Sequence, residues 1–96
     1  MLIDRGPTAG EVVSLKLFSG EEIIARLDEQ TDTELKLSKP MVIAMGPNGP
    51  GLIPFMFTAG TQKSVPVSRR AVSVITASDK QFADQYISST TGIQMV

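Results

Sequence analysis

The sequence predicts a mainly β fold: a small, strongly bent five-stranded antiparallel barrel over about residues 11 to 77, followed by a short C-terminal helix. Three observations predict it. Apolar and polar residues alternate in several short runs, which is the period of a half-buried strand. Turn residues separate these runs at intervals of roughly 8 to 12 residues, as in small antiparallel barrels. A helix start signal is found near the C-terminus.

The first two strands are predicted to form a hairpin. Their alternating apolar residues are Val13, Leu15, Leu17, Ile23, Ala25 and Leu27. Ser19 and Gly20 separate the two runs, which is typical of a hairpin turn. Because alternate side chains of a strand point to the same face, we expect all six apolar residues to share one core.

The third strand follows a polar turn at residues 29–33. It begins at Leu35 and extends to Met45, with Pro40 inside it. Proline has no N–H to donate to a strand ladder, so we expect this strand to bend at Pro40 or to lie at an edge. Residues 46–51 hold three glycines and two prolines and form the clearest loop in the chain.

The last two strands lie on either side of a double arginine. One long bent strand is predicted over residues 52–67, with Pro54 near its start and residues 59–63 as a short loop or an exposed bulge. Val72 and Val74 belong to the final strand. Arg69 and Arg70 occupy the break between these strands, which predicts that both lie in a tight turn.

The helix is predicted over about residues 79 to 88, before a tail that runs to residue 96. Ser78 is a good N-cap, and Gln81 three residues later completes a capping box. Phe82 and Tyr86 are four residues apart and therefore share one helix face. We expect both rings to hold the helix against the barrel.

Composition limits the functions that are open to the chain. A chain of 96 residues is expected to form one domain, and it contains no His and no Cys. No phosphate-binding loop, metal-ligand spacing or acid–base pair is found, so we expect no enzyme activity, no metal and no cofactor. The net charge is −1 and no apolar run is long enough to cross a membrane. The first residues of the sequence predict no signal peptide, and we expect a soluble cytoplasmic protein.

Residues 52–57 carry apolar side chains on both faces of their strand. The apolar residues in question are Leu52, Ile53, Phe55, Met56 and Phe57. They cannot all point into one small barrel, because neighbouring side chains of a strand alternate in direction. We expect the surplus to be buried against another copy of the chain.

Arg69, Arg70 and Asp32 are the candidate site residues. A guanidinium is planar and multidentate, which suits contact with phosphates or stacking on bases. The alternative is a solvated turn, or an ion pair with a Glu or Asp of a neighbouring subunit. Asp32 would contact a base in the functional interpretation and would make an Asx-type turn in the structural one.

Two segments resemble the Sm-like (LSm) family. Residues 13–20, continuing through the second strand to Leu27, look like the first motif of the family. Residues 68–74 (Ser-Arg-Arg-Ala-Val-Ser-Val) are similar to its second motif, especially in the bacterial RNA-chaperone branch. In the base-binding stretch of the first motif only Asp32 carries over, because the usual Asn is missing. The usual N-terminal helix is also missing, and Lys16 replaces an aromatic residue that is common in the bacterial branch.

The resemblance implies a closed homo-oligomeric ring, mostly of six or seven subunits in the family. It also implies that single-stranded RNA binds at the central pore. Arg69 and Arg70 would hold the RNA, and Asp32 would contact a nucleobase. The alternative is a homo-oligomeric scaffold for structure or protein interaction that binds no RNA. The acidic chain and the missing Asn favour the scaffold, and the basic turn favours RNA binding.

Overall fold

One antiparallel sheet of six strands and a C-terminal helix make up the fold. The computed structural model describes residues 6–56, 58–59 and 64–90. In chain order the elements are β1 (Val12–Leu17), β2 (Glu22–Gln30), β3 (Glu34–Gly46), β4 (Gly49–Pro54), β5 (Ser64–Ser68), a turn of 3-10 helix (Arg69–Ala71), β6 (Val72–Ala77) and α1 (Lys80–Thr90). No helix in these described ranges is long and apolar enough to cross a membrane.

The strand order is β4-β3-β2-β1-β6, and β5 also pairs with β3. The predicted count of five strands is therefore wrong, because residues 52–67 do not form one strand. β5 pairs with the first half of β3, from Glu34 to Ser38, and β4 pairs with the second half, from Met41 to Gly46. The predicted loop at residues 46–51 is also shorter than expected, since Gly46 already pairs with Gly49.

The bend predicted near Pro40 is present, and it separates the two halves of β3. Ile24 pairs with Met41 and Arg26 pairs with Ser38, so two residues of β3 oppose one residue of β2. This is a β-bulge, which bends the strand that carries the extra residue. Lys39, inside the bulge, has a φ of +47°. The strand is nevertheless central, because β3 has partners on both sides.

The core lies on one face of the sheet. The buried cluster consists of Val13, Leu15, Leu17, Ile23, Ala25, Leu27, Leu35, Leu37 and Val67. All six apolar residues of the first hairpin belong to it, which confirms the alternation read from the sequence. Fully burying one such leucine stabilises the fold by about 1.5–3 kcal/mol, so this face holds the sheet together.

The sequence predicted Ser78 as the N-cap of helix α1. This prediction is wrong, because Asp79 caps the helix. The Asp79 carboxylate accepts the backbone N–H of Gln81 at 3.1 Å. Ser78 still belongs to the sheet, because its N–H donates to Val12 O at 3.0 Å and its hydroxyl bonds to the hydroxyl of Ser14 at 2.8 Å. The serine hydroxyl is therefore engaged elsewhere, and the next residue caps the helix.

Tyr86 anchors α1 to the sheet. Tyr86 is 3% exposed. Its hydroxyl donates to the pair of backbone oxygens formed by Ser38 O, at 2.7 Å, and Lys39 O, at 3.0 Å. The same oxygen accepts the backbone N–H of Arg26 at 3.2 Å. Burial raises the pKa of this hydroxyl above its ordinary value of 10.0. Phe82 remains 39% exposed, so the expected second anchor is only half formed.

Candidate nucleic-acid interface

The double arginine lies in the turn of 3-10 helix that joins β5 to β6. Ser68 starts this turn from an extended backbone, and its hydroxyl accepts the N–H of Arg70 at 3.2 Å. The N–H of Val72 bonds to Arg69 O and closes the turn. The sequence prediction of a tight turn at Arg69 and Arg70 is confirmed. We call residues 68–71 the arginine turn.

Arg69 attaches the arginine turn to the turn between β2 and β3. Its Nε donates to Thr31 O at 2.5 Å, and its Nη2 donates to the side-chain oxygen of Gln30 at 2.7 Å. Its backbone N–H donates to Thr33 O at 2.9 Å. Arg69 is half-buried as a residue, and its guanidinium is already engaged within its own chain.

Gln30 is a residue that sequence reasoning missed. Its side-chain amide accepts from Arg69 and donates to Pro7 O at 3.0 Å, so it joins the arginine turn to the N-terminal segment. In the sequence, Gln30 is only one polar residue in a polar stretch. Nothing local distinguishes it, because its partners are distant along the chain.

Asp32 lies in the β2–β3 turn, so the structure brings all three predicted site residues to one place. Its carboxylate is exposed and makes no hydrogen bond or ion pair with any described residue. The expected Asx-type turn is wrong, because the Thr31 hydroxyl accepts the N–H groups of Thr33 and Glu34 at 3.3 and 3.0 Å instead. Asp32 is therefore presented to solvent by a turn that Thr31 holds.

Arg70 is the available cation of the arginine turn. Its side chain is exposed, and no described residue bonds to its guanidinium. A guanidinium offers five N–H donors in a planar fork that matches phosphate geometry. The two neighbouring arginines thus differ: Arg69 holds two turns together, and Arg70 faces solvent.

Phe18 is a second residue that sequence reasoning missed. Its backbone N–H donates to Ala71 O at 2.9 Å, which places the turn between β1 and β2 beside the arginine turn. Its side chain is 72% exposed. The sequence signal was an aromatic residue directly before the Ser19-Gly20 turn, where no core position is expected. An exposed ring near an arginine is a common surface for stacking a base.

The two outer strands of the sheet flank the arginine turn. Within the described residues, β6 pairs only with β1, and β4 and β5 pair only with β3. Exposed apolar side chains accompany these edges: Met45, Ile53, Met56 and Val74 are 41 to 78% exposed. Phe57, which the sequence analysis placed with this surplus, lies outside the described residues.

No protein-family model matches the chain, and no curated protein matches it.

Proposed function

We propose that the chain is an Sm-like subunit of a homo-oligomeric ring that binds single-stranded RNA at its central pore. Arg70 would contact the phosphates, and Asp32 would face a base. One observation carries the proposal: the arginine turn joins the two open edges of the sheet and contacts both neighbouring hairpin turns. It is an exposed feature at the point where subunits would meet.

The open edges support ring formation. An edge strand presents unpaired N–H and C=O groups, and proteins either cover such an edge or pair it. When β5 of one subunit pairs with β6 of the next, both sets of groups are satisfied. Repeating this head-to-tail contact closes a ring if the rotation between subunits allows it. The contact would also cover exposed apolar side chains such as Val74.

A ring would repeat the arginine turn once per subunit. The turn carries two positive charges while the whole chain carries −1. Repetition around an axis concentrates positive potential locally, which attracts a polyanion to a protein that is acidic overall. The exposed phenyl group of Phe18 would add a surface on which a base stacks. Contacts to phosphate and to a base are therefore both available near Ala71.

One observation favours the alternative, a ring that serves as a scaffold and binds no RNA. Arg69 is already bonded to Gln30 and Thr31, and the exposed carboxylates of Asp32 and Glu34 lie at the same turn. These carboxylates repel phosphates. In this interpretation the arginine turn stabilises the end of the sheet, and the exposed face of the ring contacts other proteins.

Binding of short oligouridine and oligoadenine RNA, with ring size measured on the same samples, tests the proposal. We expect affinity to fall steeply with salt, because phosphate contacts release counterions. Arg70→Ala is expected to abolish binding and to leave ring size and the free energy of unfolding unchanged. Arg69→Ala is expected to lower that free energy by about 1 kcal/mol, since it removes two charge-assisted hydrogen bonds.

Lys80→Ala is the matched control, because Lys80 is an exposed cation that pairs with Asp84 on α1. It removes the same charge as Arg70→Ala and is expected to leave RNA affinity unchanged. Equal losses in both variants would mean that net charge alone attracts RNA. A ring that binds neither oligouridine nor oligoadenine at low salt would overturn the proposed RNA binding. That result would support the alternative function as a scaffold. A monomer at micromolar concentration would overturn both.

A further inference from the structure

A cavity of about 270 Å³ lies at the bend of β3, away from the arginine turn. It is bounded by the bulge of β3, the end of β4, β5 and the C-terminal end of α1. Its described lining residues are Lys39, Pro40, Met41, Pro54, Met56, Val65, Ser89 and Thr90. Five of these eight are apolar, and none of the eight lies in the arginine turn or in the two turns that contact it.

Lys39 is the one charged side chain among the described lining residues. Its φ of +47° lies in the left-handed region, and it precedes a proline, which further disfavours helical backbone angles. Such strained residues cluster at ligand sites, where surrounding structure holds them. A lysine therefore occupies a position at which a glycine would fit the backbone better.

The Lys39 ammonium is held at the cavity wall. Its Nζ donates to Thr90 O at 2.8 Å, at the C-terminal end of α1. An ammonium has three N–H donors, and this is the one bond that Nζ makes to the described residues. Within the described part of the chain, two donors thus have no partner and can bind a ligand. No described lining residue carries a carboxylate that could neutralise the charge.

We propose that this cavity binds a medium-chain aliphatic carboxylate. Ligand sites typically combine apolar walls with a few polar groups that fix orientation, and here that group is the Lys39 ammonium. A cavity of about 150 Å³ holds benzene, so this one accepts about ten non-hydrogen atoms, the size of octanoate. The aliphatic chain would lie against Met41, Met56 and Val65, because methionine side chains adapt to irregular apolar ligands.

Methionine methyl signals in an NMR titration of the full chain test the proposal. Met41 and Met56 line the cavity, whereas Met45 does not and is 78% exposed, so it is an internal control. The probes are octanoate, octylammonium and octan-1-ol. We expect saturable shifts at Met41 and Met56 and none at Met45. Octanoate should bind at least about tenfold more tightly than octylammonium, because the two probes differ in the sign of their charge.

Lys39→Met and Lys39→Gly show whether the ammonium gives this preference. Lys39→Gly suits the positive φ, so a folded variant is available even if Lys39→Met is unstable. Both should bind octan-1-ol and lose the preference for octanoate. Lys36→Met is the matched control, because Lys36 also lies on β3, pairs with Glu29 and does not line the cavity. It should retain the preference.

Three results would overturn the proposal. The first is the absence of saturable shifts at Met41 and Met56, which would also be the result if another segment or another copy of the chain fills the cavity. The second is equal binding of octanoate and octylammonium to the unmodified chain. The third is an unchanged preference for octanoate in a folded Lys39→Gly variant. None of these outcomes depends on whether the chain binds RNA.

Discussion

Three side chains hold distant parts of the chain together through their polar atoms. Arg69 joins the arginine turn to Gln30 and Thr31, Tyr86 joins α1 to β2 and β3, and Lys39 joins the bend of β3 to the end of α1. Each donates to a backbone oxygen of another segment: Arg69 to Thr31 O, Tyr86 to Ser38 O and Lys39 to Thr90 O. At the scale of single residues, the tertiary links near both proposed sites are therefore hydrogen bonds from a few long side chains.

Tyr86 is expected to make stability fall at alkaline pH. Burial raises its pKa in the folded state, while the unfolded chain titrates near the ordinary value of 10.0. Above that pH the unfolded state loses the proton first, so the stabilisation that is fully present below pH 10.0 is lost as pH rises through the folded pKa. Denaturant unfolding at neutral and alkaline pH measures this loss.

Tyr86→Phe is the matched variant for this prediction. It should lower the free energy of unfolding by about 1–3 kcal/mol at neutral pH, because it leaves the Arg26 N–H without its acceptor. It should also remove the part of the alkaline loss that is due to Tyr86. Because Tyr86 is the single tyrosine, tyrosinate absorbance reports on it alone. A Tyr86 that titrates at its ordinary pKa in the folded protein would contradict the prediction.

At the scale of elements, α1 depends on few contacts with the sheet. Tyr86 is its one buried residue, and further hydrogen bonds to the sheet are found near its ends, at Ser78 and Thr90. Elements with few buried apolar contacts open locally before the whole fold does. We therefore expect α1 to open more readily than β1 to β3, whose apolar side chains form most of the core.

The cap of α1 can be identified by amide hydrogen exchange. Asp79→Ala should accelerate exchange of the α1 amides about fivefold, because loss of a cap costs about 1 kcal/mol. Ser78→Ala should have a smaller effect, since the Ser78 hydroxyl bonds to Ser14 and not to the helix. Exchange in β2 is the internal control. The reverse order of the two variants would restore Ser78 as the cap.

At the scale of the whole molecule, each outer strand of the sheet has one strand partner within the described residues. β6 is an outer strand that carries Val74, which is 53% exposed. In a head-to-tail ring this edge would be covered by the next subunit. A charge placed on this edge should therefore oppose assembly.

If the proposed ring forms, Val74→Lys is expected to convert it to monomers while the strand content stays unchanged. Burying an ammonium at a subunit contact is costly, and lysine on an edge strand is a known barrier to pairing. Sedimentation and far-ultraviolet circular dichroism measure the two properties. Gln85→Lys places the same charge on an exposed position of α1 and should leave assembly intact. If Val74→Lys retains the ring, β6 is not the contact strand.

The sequence by itself determined the core and the position of the arginine turn. Alternation at Val13, Leu15 and Leu17 is a local pattern, and the buried face follows from it because side chains of a strand alternate in direction. The turn at Arg69 and Arg70 follows likewise from the break between two apolar runs. These features depend on neighbours within a few residues, so periodicity alone predicts them.

Only the tertiary structure decided which groups of the candidate site are available. Arg69 meets Gln30 and Thr31 across 38 to 39 positions of the chain, and Tyr86 meets Ser38 across 48. The bulge at Lys39 divides β3 and so divides the partner strand predicted at residues 52–67. Contacts between residues so far apart leave no local pattern in the sequence. For this reason Arg69 and Arg70 read alike in the chain and differ in the fold.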